Sequence, residues 1–406
     1  MTKHQQCDSN RLVRIGIDIR ALQWEHRYRG IGVYLINLLE ALAQIDRRNQ
    51  YFLYGWGDSD PLHELRLASD FKYKFIGLNK PTSKIIGQKL KNILKRDIKV
   101  RPGSIDVFLQ PDIAFGFADG RTANVAVVYD LIEMLFKQES YPNSFLKLFR
   151  SHGLRYMLGN KMRWRLYKWQ LGQLRKAYAL ITISEATKKD LLKLFPDLSP
   201  SKIRVTPLAS SVQIEPTPRN DTGSTPSILY IGAVDYRKNI VGLVKAFEAV
   251  KKDVPRLKLI LAGKDFGEKD VLEHKQIWQA INNSAHRNDI VIRGYVPRPE
   301  LAKLYKTASV FVFPSLYEGF GMPILEAMAS GCPVVAYNSS SIPEVAGNAA
   351  LLVELGENLS IPLKRILLDK TLRVELSRRG LEQAKKFSWL DTAESTLKIL
   401  EEAAQQ

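Results

Sequence analysis

From residue 227 onward, short continuous apolar runs alternate with amphipathic stretches, and no other feature of the chain restricts its fold as much. SILYIGA (227–233) is followed by NIVGLVKAFEAVKK (239–252), LKLILAG (257–263), DIVIRG (289–294), PELAKLYKTA (299–308), SVFVFPS (309–315), PILEAMAS (323–330) and PVVAY (333–337). Val, Ile and Leu without polar alternation mark strands buried on both faces. Such strands belong to parallel sheets covered on both sides by helices. The first half repeats the pattern less cleanly in RIGIDIRA (14–21), a helix over 31–45, YFLYGW (51–56), IDVFLQ (105–110), VAVVYD (125–130) and ALITIS (179–184). The spacing predicts an α/β chain of two doubly wound, Rossmann-like domains facing across a cleft, with ligands at the carboxyl ends of the strands.

A length of 406 residues suits two domains. QIEPTPRNDTGSTP (213–226) is rich in Pro and Thr and lacks apolar periodicity, which is linker composition. The expected division is a first domain over 1–212, a linker over 213–226, a second domain over 227–384 and a C-terminal helix over 385–406. Composition, 45% hydrophobic and 25% charged, excludes wholesale disorder and a fibrous chain. No run reaches the roughly 20 apolar residues of a spanning helix, and the polar start MTKHQQCDSN offers no secretory core. Cys7 and Cys332 are too few for a disulfide framework, so a cytoplasmic location is expected.

PSLYEGFGMPILEAMASGCPVV (314–335) carries the most chemistry. Glu318 follows a buried strand, Gly319 and Gly321 permit close ligand approach, and Pro323 suits a first helical turn. Glu326 lies about one turn further on, so two carboxylates flank one helix N-terminus. Unpaired N–H groups and the positive dipole end suit a phosphate there, with the carboxylates accepting from hydroxyls on either side. A sugar nucleotide has that alternation. Taken alone, a turn residue and a dipole-neutralising carboxylate explain the pair about equally well. IGAVDYRKN (231–239) sets Arg237 and Lys238 at another strand-to-helix turn, where cations suit a diphosphate.

EGFGMPILEAMASGCPVVAYNSSSIPEVAGNAALLV (318–353) resembles the donor-site signature of glycosyltransferase family 4, retaining enzymes of GT-B architecture. The resemblance implies that Glu318 meets the donor sugar, that Glu326 holds the ribose, and that Gly319, Phe320, Gly321 and Met322 line the donor. It further implies that Lys238 compensates the leaving diphosphate. Many members carry an Arg where this chain has Ala233, and Arg237 is the candidate to take that place. RGIGVYLINLLEAL (29–42) resembles the family's N-terminal glycine loop, which adds Gly32. VAVVYDLIEML (125–135) matches a stretch with His-Asp at a strand end; Asp130 is retained as a catalytic candidate and Tyr129 replaces the His. ITISEATKKDLLKLF (181–195) is similar to a strand–Ser-Glu–helix segment in which Ser184 and Thr187 read as helix caps. KKFSWLDTAESTLKIL (385–400) looks like the helix that crosses back to the first domain, with Trp389 and Leu390 as packing residues.

The net charge of +18 is uneven. Residues 1–200 contribute +14 and residues 201–406 the remaining +4. SKIIGQKLKNILKRDIKVR (83–101) and the Arg-, Lys- and Trp-rich 145–178 segment fit basic amphipathic helices at an anionic membrane surface, or core helices with solvated charged faces. No nucleic-acid-binding motif is present, so no nucleic-acid partner is expected.

With these features, the resemblance implies a metal-independent, retaining hexosyltransferase needing no cofactor. It would move mannose or glucose from a nucleotide diphosphate sugar to a glycan or lipid-linked acceptor, as in cell-surface polysaccharide or lipopolysaccharide synthesis. It would act in the cytoplasm or peripherally on the membrane's inner face. The rivals are a sugar-nucleotide epimerase on the same architecture and a catalytically silent membrane- or polymer-binding scaffold.

Overall fold

The computed structural model describes residues 11–23, 27, 30–58, 60–79, 103–119, 122–136, 162–211, 225–267 and 275–406. The chain divides into two compact units. One comprises residues 1–183, 188–206 and 389–406, the other residues 184–187 and 207–388. The basic segment 83–101 and most of the 213–226 linker lie outside the described residues.

The first unit holds seven parallel strands: β1 (Arg14–Asp18), β2 (Gln50–Trp56), β3 (Tyr73–Leu78), β4 (Val107–Gln110), β5 (Ala123–Val128), β6 (Ala179–Thr182) and β7 (Ile203–Val205). Their order is β3-β2-β1-β4-β5-β6-β7, so the order reverses between β1 and β4. Ile15, Ile17, Val107, Leu109, Val125 and Leu180 are fully buried in this sheet. Every adjacent pair is parallel, as unbroken apolar strands require. The edge strands β3 and β7 have no counterpart among the apolar runs predicted from the sequence.

Helix Gly30–Ile45 buries Tyr34, Leu35, Leu38, Leu39 and Leu42. The C-terminal helix Trp389–Ala403 belongs to this same unit. It buries Thr392, Ala393, Thr396, Ile399, Leu400 and Ala403, one face at helical spacing. The Trp389 ring meets Tyr34 edge-on at 6.3 Å. Leu390 packs less fully than expected: it is 40% exposed, because it lies on the flank of that stripe. The described part of the second basic segment, 162–173, is helical, with Leu171 buried and Arg163, Arg165 and Lys168 exposed. No helix among the described residues is long and apolar enough to cross a membrane.

The second unit holds six parallel strands: β8 (Ser227–Ile231), β9 (Lys258–Ala262), β10 (Ile290–Arg293), β11 (Val310–Phe313), β12 (Val334–Tyr337) and β13 (Ala350–Val353). Their order, β10-β9-β8-β11-β12-β13, reverses between β8 and β11. Ile228, Leu259, Leu261, Val310, Val312 and Val335 join the helix residues Leu243, Phe247 and Leu363 in one core. Gly263, just past β9, has φ 152°, and a Cβ there would lie 2.0 Å from the Gly232 carbonyl oxygen past β8. Two strand ends converge there as closely as backbone allows.

Candidate functional site

The loops leaving β8 and β11 flank the point where the second sheet reverses its order. Open parallel sheets form ligand crevices at such points, because the flanking loops diverge there. Both expected motifs lie on these loops, so one topological feature brings together residues eighty positions apart.

In the first loop, Asp235 caps its own turn by accepting from the Arg237 amide at 2.9 Å. The Arg237 guanidinium donates to Asp235 at 3.0 Å and to the Tyr317 carbonyl at 3.1 Å. Arg237 is therefore committed to joining the two loops, and its backbone carbonyl also accepts from Leu316 at 2.7 Å. Asn239, in the left-handed region at φ 47°, caps helix Ile240–Lys251 through the Gly242 amide. Lys238 projects between these anchors. Its ammonium donates to Glu318 Oε1 at 2.5 Å and sits 5.4 Å from the centre of the Phe313 ring. Both members of the Lys238–Glu318 pair are largely buried, at 12% and 13% side-chain exposure.

The second loop, Glu318 to Gly321, is held by hydroxyls. Ser340 accepts from the Glu318 amide at 2.8 Å. Ser341 donates to the carbonyls of Glu318 at 3.0 Å and Phe320 at 2.8 Å. Ser184 donates to the Gly319 carbonyl at 2.7 Å, and Thr187 reaches the same oxygen at 3.3 Å. Ser184 is also the cap expected of it, accepting from the Thr187 amide at 3.0 Å. Glu344 accepts from the amides of Glu185 and Ala186 beside it, at 2.9 and 3.0 Å. Gly321, at φ 107°, ends the loop in a conformation that favours glycine and serves as N-cap of helix Met322–Ala329, with Pro323 in its first turn. Phe320 is buried and packs edge-on against Phe387 at 5.9 Å.

Glu326 lies one turn into that helix and is 7% exposed. Its Oε1 accepts from Ser211 at 2.6 Å and its Oε2 from the fully buried Tyr305 hydroxyl at 3.0 Å. Burial raises its pKa, against the opposing effect of those two hydrogen bonds. The same burial, with the Glu326 charge, holds the Tyr305 phenol well above its usual range. Glu318, Lys238, Arg237, Gly319, Phe320, Gly321, Met322 and Glu326 therefore stand in one unit around one helix start. Ser184, Ser211, Tyr305, Ser340 and Ser341 complete this frame and were not read as site residues. For these residues the sequence signals were Ser184, read as a helix cap, and the triple serine at 339–341 next to a strand end.

The remaining expected residues lie in the first unit. Asp130 follows β5, and its Oδ1 accepts from the Ile132 amide at 3.0 Å, so part of its role is local capping. The Tyr129 ring meets Tyr34 edge-on at 5.5 Å, and burial raises its phenol pKa. A Cβ at Gly32 would lie 2.2 Å from the Arg27 carbonyl oxygen, which explains the glycine by close chain approach. At the end of β1, buried Asp18 takes a bidentate ion pair from buried Arg20, at 2.6 Å for the shortest contact. Gln110 donates to the same carboxylate at 3.0 Å, and the guanidinium lies over the Trp56 and Phe115 rings, 5.1 and 4.6 Å from their centres. Among the described residues, no group of three or more His, Cys, Asp or Glu is placed to hold a metal.

The model of the family described as glycosyl transferases group 1 matches residues 215–384. The O-antigen chain mannosyltransferase B of Escherichia coli is 36% identical over 235 residues, covering 54% of this chain and 60% of its own length. The serotype-specific mannosyltransferase WbdA of Escherichia coli is 25% identical over 94% of this chain and 47% of its own. The chain thus spans about half to three fifths of the length of these curated relatives. Among solved structures, Anabaena HepE in complex with UDP-glucose superposes with a TM-score of 0.62 at 15% identity, covering 96% of this chain and 100% of that one. The two parallel sheets with their helices are those of GT-B glycosyltransferases. Over residues 215–384 the chain is similar to the glycosyl transferases of group 1.

Proposed function

We propose that the protein is a retaining, metal-independent glycosyltransferase that moves a hexose from a nucleotide diphosphate sugar to a glycan or lipid-linked acceptor in cell-surface polysaccharide synthesis. Mannose is the favoured sugar, since the curated relatives named above are mannosyltransferases. The observation that carries the reading is the Lys238–Glu318 pair at 2.5 Å beside the start of helix Met322–Ala329, with buried Glu326 one turn further.

In this reading the diphosphate lies at the helix N-terminus, whose first amides lack intrahelical partners and carry the positive dipole end. Lys238 faces the phosphates and Arg237 adds a second cation. Glu318 accepts from sugar hydroxyls, the backbone from Gly319 to Met322 lies along the donor, and Glu326 accepts from the ribose. As the bond from the anomeric carbon to the phosphate oxygen breaks, negative charge grows on the diphosphate. Pre-placed cations and amides stabilise that charge more in the transition state than in the ground state. The acceptor hydroxyl attacks from the face the diphosphate leaves, and its proton passes to a diphosphate oxygen, which retains configuration without a protein base. Asp130, Tyr129 and Gly32 are the first-unit residues that the family resemblance assigns to the reaction. A cytoplasmic site of action, peripheral to the membrane, suits the basic first half.

The test is a thermal-shift panel of nucleotide diphosphate sugars, followed by transfer assays with the one that binds. Glu326→Ala is expected to weaken nucleotide binding at least tenfold, and Lys238→Ala to lower turnover at least a hundredfold. Wild-type behaviour of both variants would sink the assignment.

A further inference from the structure

The geometry points to an interaction surface for a second copy of this chain, formed by the open edge of β13 and the outer face of helix Ser360–Leu368. The two copies pair about a twofold axis, edge strand to edge strand.

A sheet edge presents unpaired N–H and C=O groups, and chains guard such edges with charged residues, prolines or covering segments. Of the four edges of the two sheets, three carry a cation within the strand: Lys74 in β3, Arg204 in β7 and Arg293 in β10. The fourth, β13, reads Ala-Leu-Leu-Val and carries none, and no proline occurs between 344 and 361. It pairs with β12 on one side, and among the described residues no strand lies on the other. Leu351, Leu352 and Val353 all line one groove of about 440 Å³. Successive side chains point to opposite faces of a sheet, so the surface these three residues share is the backbone edge. The groove therefore runs where a further strand would add.

Its other wall is helix Ser360–Leu368, through Ile361, Pro362 and Arg365. That helix buries Leu363 and Ile366 in the core of the second unit. A helix with one buried face normally turns polar residues outward. Here Ile361 and Leu368, 73% and 59% exposed, stand on the opposite side with Arg365 between them, at i, i+4 and i+7. Leu355, just past β13, is exposed as well. An apolar strand edge beside an apolar helix stripe is stabilised when a partner removes both from water.

Charge selects the occupant. Glu357 and Arg365 both line the groove, and neither joins an ion pair among the described residues. A twofold axis makes a surface its own complement, so an identical copy answers one carboxylate and one cation at once. A partner surface of a single sign leaves one of the two opposed by like charge. Identical edges brought together by such an axis run antiparallel, a pairing in which each strand exchanges its N–H and C=O groups with its copy. None of these residues belongs to the frame around Lys238 and Glu318, and β12 separates β13 from β11.

The test measures the mass of the full chain in solution, by light scattering and sedimentation velocity over a concentration series. The wild type is expected to be a dimer, and Ile361→Lys to weaken it about tenfold or more, as a buried contact residue does. Glu357→Arg and Arg365→Glu are each expected to weaken the dimer when alone. An equal mixture of these two variants is expected to recover it, because every charge then meets its opposite. Circular dichroism matching the wild type in all three variants separates a lost contact from a lost fold. A wild type that stays monomeric would assign the groove to a different protein and overturn the proposal. A dimer indifferent to all three variants, or a mixture no more dimeric than its components, would overturn it equally.

Discussion

Lys238 and Glu318 stand eighty residues apart in sequence and meet at 2.5 Å, each with nearly nine tenths of its side chain withdrawn from solvent. The pair joins the loops that leave β8 and β11, and it places a cation and a carboxylate on opposite sides of one short gap. Removing either partner leaves the other charge buried without compensation.

Lys238→Met and Glu318→Gln are therefore expected to lower stability individually by about 1–3 kcal/mol, below the cost for a fully buried pair. The double variant is expected to recover part of that loss. Urea unfolding of the four proteins measures the coupling, and strict additivity would show that the pair contributes nothing jointly.

Glu326 predicts a pH dependence. Burial raises its folded pKa above its ordinary 4.5. The folded state therefore holds the proton more tightly than the unfolded chain. The resulting stabilisation is complete below the ordinary value and is lost as pH rises through the raised one. Wild type minus Glu326→Gln stability is expected to fall with pH over that window and then level off. Nucleotide affinity should run the opposite way, growing as Glu326 ionises, because the carboxylate accepts from ribose hydroxyls. Calorimetry at several pH values, with a flat profile in Glu326→Gln, checks both.

Ser184→Ala removes the cap of helix Glu185–Leu194 and the shortest hydrogen bond to the Gly319 carbonyl. A lost cap costs about 1 kcal/mol, and a buried carbonyl losing a partner costs about as much again. The donor KM is expected to rise severalfold, and Ser184→Thr to restore it. A stability loss with an unchanged KM would make Ser184 a cap alone.

Arg20→Met leaves the Asp18 carboxyl group buried without its cation, with Gln110 as its remaining side-chain donor among the described residues. A loss of about 3 kcal/mol or more is expected for the single change. Asp18→Asn combined with Arg20→Met is expected to be milder, and thermal unfolding of the two variants decides the order.

The central strands were legible in the sequence because strands buried on both faces must be continuously apolar. SILYI, KLILA and VFVF all appear at their expected places. The edge strands of the first sheet were not. Tyr73–Leu78 is half exposed and Ile203–Val205 has three residues, so neither needs an apolar run. Leu390 misled for a related reason: an apolar side chain beside Trp389 reads as core, but helix phase turns it outward.

By itself, the sequence determined the parallel α/β class, the two-domain length, and the segment in which a glycine turn, a proline and two glutamates open one helix. Each follows from local rules, namely strand burial, backbone permissiveness and the 3.6-residue turn. Only the tertiary structure decided which groups those residues meet. Lys238 on Glu318, Ser184 on Gly319, and Tyr305 and Ser211 on Glu326 all join positions that are distant in sequence. Their energies depend on distance and exclusion of water, quantities that exist only once the sheets have formed.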